Sequence, residues 1–230
     1  MIDGQRVLAV IPARGGSKAV PRKNIRLVGD RPLLSYTIEA ASASAYIDRI
    51  LVSSEDAEIL RIAAANGAEP MVRPVELAAD DTPGIAPVLH ALEHNPSFEL
   101  VVLLQPTSPL RSTADIDGCI EQCTRAGTQS CVSVQEVDQS PYWMYRLDNK
   151  DNLVPIFHDD HFNKARRQEL PKVFVLNGAV YVARVDWLLM EKSFLQGNVK
   201  PWVMPAERSL DIDTERDLQV FSDILSKKLS

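Results

Sequence analysis

The sequence predicts an α/β fold in which a doubly wound, mostly parallel sheet is covered by helices. Short apolar runs alternate along the chain with amphipathic stretches of helical period. The first run, residues 6–12, is apolar without alternation after its first residue, which is typical of a strand buried on both faces. The chain has 230 residues, 45% of them hydrophobic and 24% charged, which is enough for one sizeable core.

Each element is predicted from its own local pattern. Apolar runs predict strands, and apolar residues recurring on one side predict helices. Gly67 marks a helix end, and Ser112 with Asp115 resembles a capping box at a helix start. In chain order the predictions are a strand at 6–12, helix at 32–46, strand at 50–54, helices at 55–66 and 85–94, strand at 100–105, helix from 112 to about 125, strand at 131–134, one strand or two at 172–184, and a helix at 215–228.

The regular alternation stops between residues 139 and 170, which are polar and rich in Asp, Asn, His and Arg. The chain contains no internal repeat and no low-complexity linker. We therefore predict a single domain over residues 1–230, with an insertion within 139–200 that serves as a lid or as a dimerisation element.

Composition excludes several classes of function. A net charge of −6 disfavours electrostatic binding of nucleic acid. No apolar stretch approaches the roughly 20 residues of a membrane span, so no membrane partner is expected. Cys119, Cys123 and Cys131 are odd in number and close together, which argues against a disulfide framework and indicates a reducing cytoplasm. The sequence shows no Ser-His-Asp or Cys-His arrangement, so covalent nucleophilic catalysis is not expected.

A loop rich in glycine and basic residues follows the first predicted strand. Gly15 and Gly16 would allow backbone N–H groups to approach an anion, and Arg14, Lys18 and Lys23 would neutralise it. The loop is neither a Walker A motif nor a dinucleotide-binding turn. It is either a polyphosphate site at the mouth of the sheet or a solvated basic loop.

Two carboxylates near the end of the chain form a second candidate site. In an extended segment Asp211 and Asp213 would face the same side, with Ile212 facing the other. Two such oxygen ligands suit Mg²⁺ on a nucleotide's phosphates. Alternatively, Asp213 or Thr214 simply caps the last helix.

Two further segments are unusual. Residues 104–111 predict a polar, proline-stiffened turn after the most hydrophobic strand. Such a turn is either a small-molecule site at the carboxyl end of the strand or a rigid connection to the next helix. Asn177 and Gly178 interrupt an apolar strand, which indicates either close approach of a ligand or a β-bulge.

Five segments together resemble one family. The motifs IPARGGSKAVPRKNI, RPVELAADDTP, LLQPTSPLR, LPKVFVLNGAVYV and RSLDIDTERDL occur in the order found in acylneuraminate cytidylyltransferases, the CMP-nonulosonic acid synthetases. The sequence is similar in particular to bacterial members that act on sialic-acid-like sugars, legionaminic acid among them. The resemblance implies that CTP and a nine-carbon 2-keto sugar acid react to give a CMP-sugar and pyrophosphate, in a homodimer whose insertion reaches the partner's site.

The resemblance also implies roles for individual residues. Ala19 stands where many members have Gly, and residues 80–85 replace a Ser-richer segment, so no base contact is assigned there. Phe194 is a candidate for the dimer contact. The implied roles are catalytic for Arg14, Lys18 and Lys23, nucleotide-binding for Ala13, Gly15, Gly16, Ser17, Asn24 and Arg73, substrate-binding for Gln105, Asn177 and Tyr181, and Mg²⁺-binding for Asp211 and Asp213.

Two other functions remain open at this point. A cytidylyltransferase for another sugar acid, such as an eight-carbon keto-acid, would keep the loop and the carboxylate pair and differ on the sugar side. A non-catalytic nucleotide-binding module would bind CTP without releasing pyrophosphate. The identity of the nonulosonic acid is also open, because only a few side chains of the insertion would distinguish one such acid from another.

Overall fold

The computed structural model describes residues 1–157 and 166–229. The strands are β1 (Val7–Pro12), β2 (Leu27–Val28), β3 (Arg31–Pro32), β4 (Arg49–Ser54), β5 (Glu69–Val72), β6 (Leu100–Leu103), β7 (Ser130–Glu136), β8 (Tyr145–Leu147), β9 (Leu153–Pro155), β10 (Phe174–Arg184) and β11 (Val199–Val203). The helices are α1 (Leu33–Ser42), α2 (Ala57–Ala65), α3 (Ala86–Glu93), α4 (Thr113–Thr124), α5 (Val185–Glu191) and α6 (Glu215–Leu229).

Seven strands form one sheet in the order β11-β7-β10-β6-β1-β4-β5. β10 runs antiparallel to both of its neighbours, and the remaining neighbours pair in parallel. The predicted fold class, a mostly parallel sheet with helices on both faces, is therefore confirmed. In such a sheet ligands bind beyond the carboxyl ends of the strands.

The core has a layer on each face of the sheet, as the uninterrupted apolar sequence of β1 predicts. Val7 and Ile11 pack with apolar residues of α1, α2 and α4. Leu8 and Val10 point the other way and pack with residues of α3 and α5. Successive strand residues face opposite sides, so a strand covered on both faces needs apolar side chains throughout.

Local capping decides where the helices begin and end. Ser112 and Asp115 form the predicted capping box at the start of α4. The helix predicted at 32–46 instead ends at Ser42. Beyond that residue, the Ser44 hydroxyl accepts from the backbone N–H groups of Tyr46 and Ile47 and so stabilises a turn.

The prediction missed both edge strands of the sheet. β5 contains Pro70 and β11 contains Pro201, and their exposed sequences lack the apolar runs of the central strands. Proline has no backbone N–H to donate to a neighbouring strand, so within a sheet it is tolerated mainly in edge strands. A prediction from residue propensity therefore disfavours a strand at such a segment. The short helix α5 was not predicted either.

The long apolar segment near the end of the insertion is a single strand with a bend. The register of β10 against β7 shifts between Leu176 and Tyr181, and Gly178 has a φ of +73°. β8 and β9 pair as a separate two-stranded sheet. β10 and β11 join the main sheet, and residues 158–165 of the predicted insertion lie outside the described residues. The single-domain assignment stays a prediction.

The part of the chain that the structure describes contains no helix that could span a membrane. Cys119, Cys123 and Cys131 are buried and free of disulfides. A cytoplasmic location stays a prediction.

An ion pair between the buried Asp115 and the partly exposed Arg208 is expected to make α4 sensitive to acid. The Asp115 carboxylate accepts from Arg208 at 2.8 and 2.9 Å and from Trp202 Nε1 at 3.2 Å. Burial opposes its ionisation, but the hydrogen bonds from Arg208 and Ser112 prevail and lower the pKa of Asp115 to about 2. A lowered acid pKa stabilises the fold above the unfolded-state pKa, and this contribution is lost as the pH falls through about 4 to 2.

Asp115→Asn is expected to lower the free energy of unfolding at pH 7 by about 2 kcal/mol. The amide cannot accept from all of these donors, and it carries no charge to pair with Arg208. Urea unfolding of both proteins at pH 7 and pH 2.5 would measure this difference. The difference should largely vanish at the lower pH, and a constant difference would assign it to packing instead.

Candidate active site

A cleft of about 360 Å³ opens where β1 and β6 end. The end of β1, the loop that follows it, the turn after β6, residues 77–84 and the segment before α6 surround this cleft. Its position at the carboxyl ends of parallel strands is the usual ligand site of such sheets. The predicted site residues that line it are Arg14, Ser17, Lys23, Asn24, Arg73, Gln105, Asp211 and Asp213.

The two clusters of opposite charge, far apart in sequence, meet in this cleft. Lys23 Nζ lies 3.1 Å from Asp213 Oδ1 and donates to the backbone carbonyl of Ile212 at 2.6 Å. Lys23 is only 13% exposed, which limits screening of its charge by water. The lysine therefore joins the basic loop to the acidic segment directly.

The basic loop is shaped by contacts with the start of α2. Gly15 passes so close to Asp56 that a Cβ at residue 15 would lie 2.6 Å from its Oδ2. Asp56 caps α2 by accepting from the backbone N–H groups of Glu58 and Ile59, and it also pairs with Arg22. A side chain at residue 15 would displace this cap, so glycine is required there.

Glu55 connects the basic loop with Arg73. One carboxylate oxygen accepts from the backbone N–H of Gly15 at 2.7 Å, and the other lies 3.0 Å from Nη2 of Arg73. Arg73 is 4% exposed but still contributes to the cleft wall. Nearby, the buried Asn24 side chain donates to the backbone carbonyl of Arg14 at 2.9 Å. Asn24 and Glu55 therefore set the position of the loop.

Asp211 and Gln105 face the same wall of the cleft. A Cβ at Gly178 would lie 3.1 Å from Gln105 Oε1 and 3.8 Å from Asp211 Oδ2. Desolvation by the surrounding protein raises the pKa of the Asp211 carboxyl, and the charge of Asp213 adds to the rise, although a hydrogen bond with Thr107 opposes it. An additional positive charge at this position would stabilise the ionised carboxylates.

In this structure Asp80 pairs with the cations that were predicted to bind phosphate. Its carboxylate lies 2.7 Å from Arg14 Nη1 and 2.5 Å from Lys18 Nζ. The hydrogen bonds from Lys18 and then Arg14 lower the pKa of Asp80, so this carboxylate is ionised at neutral pH. A triphosphate bound by the same two side chains would have to displace it.

Asp80→Asn is therefore expected to lower KM for CTP about two- to fivefold, because exposed ion pairs contribute little individually but compete directly with the ligand. Initial rates at varied CTP would measure the change. Asp81→Asn is the matched control, since it removes the same charge from a neighbour that forms no ion pair with any described residue. Equal effects in the two variants would indicate a general charge effect.

Several predicted site residues do not line the cleft: Ala13, Gly15, Gly16, Lys18, Asn177 and Tyr181. Ala13 is buried, and its N–H donates to the carbonyl of Ser53, so this N–H and that of Gly15 already have protein acceptors. Gly16 has open space around its Cα, which would accommodate a close ligand. Nucleotide binding by all three stays a prediction.

Tyr181 is partly buried, and its ring lies 5.6 Å from that of Phe194. Burial raises the pKa of the Tyr181 hydroxyl, with a smaller effect from Asp211. Phe194 is 6% exposed and packs in the core of its own chain. The ring is already largely covered by its own chain, and the role of Phe194 in a dimer contact stays a prediction.

Sequence reasoning gave no role to Arg111, which lies behind the turn after β6. The side chain is 4% exposed, donates to the backbone carbonyl of Gln105 and lies 3.3 Å from the Thr37 hydroxyl. Burial lowers the pKa of its guanidinium to about 9. Its position at the end of the motif LLQPTSPLR was the available signal. Glu55 gave no comparable signal, because its contacts are all tertiary.

The family model described as cytidylyltransferase matches residues 8–181. The chain is 37% identical over 220 residues to the CMP-N,N'-diacetyllegionaminic acid synthase of Legionella pneumophila, covering 92% of this chain and 93% of that one. It is 34% identical over 225 residues to the pseudaminic acid cytidylyltransferase of Campylobacter jejuni, covering 96% of each.

A third relative is longer. The chain is 33% identical over 224 residues to the N-acylneuraminate cytidylyltransferase of Escherichia coli, covering 97% of this chain and 53% of that one. Among solved structures, a CMP:2-keto-3-deoxy-manno-octonic acid synthetase complexed with CTP superposes with a TM-score of 0.76 at 16% identity. That superposition covers 97% of this chain and 99% of the other, and it supports the fold alone.

Proposed function

This chain belongs to the cytidylyltransferase family, and from that membership we propose that it transfers CMP from CTP to a nonulosonic acid and releases pyrophosphate. The relatives at 33–37% identity are named for legionaminic, neuraminic and pseudaminic acids, which are all acids of this class. An eight-carbon keto-acid is the alternative substrate, and the solved structure named for such an acid shares 16% of its residues with this chain.

One observation supports the proposal above the others. The cleft brings together a basic loop and a pair of carboxylates that are far apart in the sequence: Lys23 and Asp213, 190 residues apart, lie 3.1 Å from each other. A triphosphate needs cations for its oxygens, and a nucleotidyl transfer needs charge stabilisation at the same place. A non-catalytic module that held a metal–nucleotide complex would use the same groups, so pyrophosphate release is the property that distinguishes the two functions.

In the proposed reaction, the anomeric hydroxyl oxygen of the sugar acid attacks the α-phosphorus of CTP, and the hydroxyl proton is released to solvent. The bond from that phosphorus to the oxygen bridging it to the β-phosphorus breaks, and pyrophosphate leaves. Arg14 and Lys18 release Asp80 and stabilise the charge that builds up on the leaving group. Lys23, which bonds to the Ile212 carbonyl and to Asp213, would contact the α-phosphate.

The other end of the cleft would receive the nucleoside. Arg73 is fixed by Glu55, so its guanidinium edge is presented in one orientation. Asn24 donates one amide N–H to the Arg14 carbonyl, which leaves its amide oxygen and its second N–H as the groups that would reach a nucleotide. On the sugar side, Gln105 is the lining residue whose amide would bind the acid.

The residues at Asp211 suit a divalent metal. Asp211 and Asp213 both line the cleft, Asp211 and the Gln105 amide oxygen border the same glycine, and desolvation raises the pKa of the Asp211 carboxyl. No group of three or more His, Cys, Asp or Glu side chains among the described residues is placed to bind a metal ion. Mg²⁺ is commonly held by one or two carboxylates, water and substrate phosphates, so Asp211 and Asp213 would suffice. When bound, Mg²⁺ would supply neutralising charge to the phosphates and polarise the attacking hydroxyl.

The proposal is tested by measuring pyrophosphate release with each of four nucleoside triphosphates against legionaminic, neuraminic and pseudaminic acids and an eight-carbon keto-acid, with and without Mg²⁺. We expect release with CTP and a nonulosonic acid only when Mg²⁺ is present. Faster turnover of the eight-carbon acid would support the alternative substrate. CTP binding without release for any acid would support a non-catalytic module.

We further propose that the protein is a homodimer, formed through an arm that comprises residues 139–157 and 166–176. More than half of the exposed large apolar side chains in the described residues lie in this arm. They include Leu147 and Leu153, which are 62% and 68% exposed on the β8–β9 hairpin. A cluster of this kind marks an interaction surface, and a copy of the chain would cover it.

Leu153→Asp is expected to convert the dimer to a monomer at micromolar concentration, because it buries a charge in an apolar contact. Sedimentation velocity of the full chain would show the mass. Leu27→Asp is the matched control, since Leu27 is 66% exposed but lies outside the arm. A wild-type protein that sediments as a monomer would refute the dimer.

A further inference from the structure

A buried asparagine at the bend of β10 joins separate parts of the fold. Asn177 is 5% exposed, and its Nδ2 donates to the Ser209 hydroxyl oxygen at 3.0 Å. Its Oδ1 accepts from the hydroxyl of Ser133 in β7 at 2.6 Å. The Ser133 oxygen in turn accepts from the backbone N–H of Val180 at 2.8 Å. Both ends of the Asn177 amide are thus used inside the protein, away from the cleft.

The bond to Ser209 fixes the segment that contains Asp211. Ser209 is 7% exposed, and its own hydroxyl donates to the backbone carbonyl of Pro205 at 2.9 Å. Two residues later comes Asp211, and the N–H of Ile212 donates to the carbonyl of Thr107 at 2.8 Å. The Asp211 backbone is therefore held from one side by Asn177 through Ser209, and from the other by the turn after β6.

The bend itself borders the Asp211 carboxylate. Gly178 follows Asn177 directly, and a Cβ there would lie 3.8 Å from Asp211 Oδ2. Because Asn177 binds Ser209, it sets the separation between this wall of the cleft and the carboxylate. An amide is needed for this, since the side chain must donate to one hydroxyl and accept from another.

We propose that Asn177 is a positioning residue for the cation-binding carboxylate of Asp211, and not a contact to the sugar acid. The inference rests on the proposed function, because it takes Asp211 as a ligand of the divalent metal. Without the bond to Ser209, residues 209–211 would be less ordered before the metal binds. Metal binding would then have to order them, and this loss of conformational entropy would weaken metal affinity. The sugar side of the cleft would be little changed.

The test uses Mn²⁺ as a spectroscopic probe. Its binding to the full-length protein in the presence of CTP, without sugar acid, is measured by electron paramagnetic resonance. Ser209→Ala and Asn177→Ala are expected to weaken Mn²⁺ binding about tenfold and to raise the Mg²⁺ concentration for half-maximal pyrophosphate release equally. KM for the sugar acid should stay within twofold. Ser209→Thr, which retains the hydroxyl, should restore Mn²⁺ binding.

Ser130→Ala is the matched control for a simple loss of stability. Ser130 is another buried serine of β7, and its hydroxyl bonds to the carbonyls of Val182 and Phe194, with no connection to Asp211. This variant should lower Tm to a similar extent and leave Mn²⁺ binding unchanged. Equal weakening of Mn²⁺ binding in this control would overturn the inference.

Unchanged Mn²⁺ affinity in Ser209→Ala would also overturn the inference, and a raised KM for the sugar acid in Asn177→Ala would return Asn177 to a substrate contact. If Asn177→Ala does not fold, Ser209→Ala decides, because it removes the same bond. Asp211→Asn, which removes the proposed ligand itself, shows the loss of Mn²⁺ binding against which the other variants are compared. Wild-type protein that binds no Mn²⁺ with CTP would refute the proposed metal site, and the inference with it.

Discussion

Asp211→Asn is expected to lower kcat for pyrophosphate release by a hundredfold or more and to raise the Mg²⁺ concentration needed for activity. The amide keeps the size of the side chain and can still accept from Thr107, so the segment should stay in place. It lacks the charge that a divalent cation requires. Loss of one preorganised charge-stabilising group commonly reduces kcat by a factor of about 10² to 10³.

Asp211→Asn also distinguishes a metal-binding role of Asp211 and Asp213 from a purely structural one. In metal-free buffer Tm should be unchanged or higher, because Asp211→Asn removes the repulsion between this carboxylate and that of Asp213. Calorimetry of both proteins with EDTA would measure this. A marked fall in Tm, combined with an unchanged Mg²⁺ requirement, would instead assign Asp211 a structural role.

Arg14→Ala is expected to lower kcat/KM for CTP by about two orders of magnitude, corresponding to about 3 kcal/mol of transition-state stabilisation. The loop should retain its conformation, because Asn24 binds the backbone carbonyl of Arg14 and not its side chain. Steady-state rates at varied CTP, together with a circular dichroism melt, would separate catalysis from folding.

Two variants serve as controls for Arg14→Ala. Arg14→Lys keeps the charge but not the two-pronged geometry, so it should recover part of the lost rate. Arg31→Ala removes an exposed arginine that pairs with Glu39 outside the cleft, and it should leave kcat/KM unchanged. Near-normal turnover by Arg14→Ala would remove this side chain from the mechanism.

Much of the fold could be predicted because its signals are local. The uninterrupted apolar sequence of β1 already indicated a strand covered on both faces, and Ser112 with Asp115 marked the start of α4. The edge strands β5 and β11 could not be predicted in this way. They are stabilised by pairing with β4 and β7, and pairing is a property of the neighbour as much as of the strand.

The residues of the candidate active site could likewise be predicted only in part. The charges of the basic loop and of Asp211 and Asp213 were evident in the sequence, because their residue types and spacing are unusual. The partners of Asn177 were not evident. Predicted to contact substrate, it binds Ser133 and Ser209, which lie more than 30 residues away on either side.

By itself, the sequence determined the fold class and the chemical groups available to this protein, namely a set of cations in the loop after β1 and a pair of carboxylates before α6. The tertiary structure alone decided which of these groups meet. Lys23 reaches Asp213, Asp80 pairs with both Arg14 and Lys18, and Phe194 is covered by its own chain. The physical reason is that charge and hydropathy belong to each residue, whereas distance and burial depend on how remote segments pack.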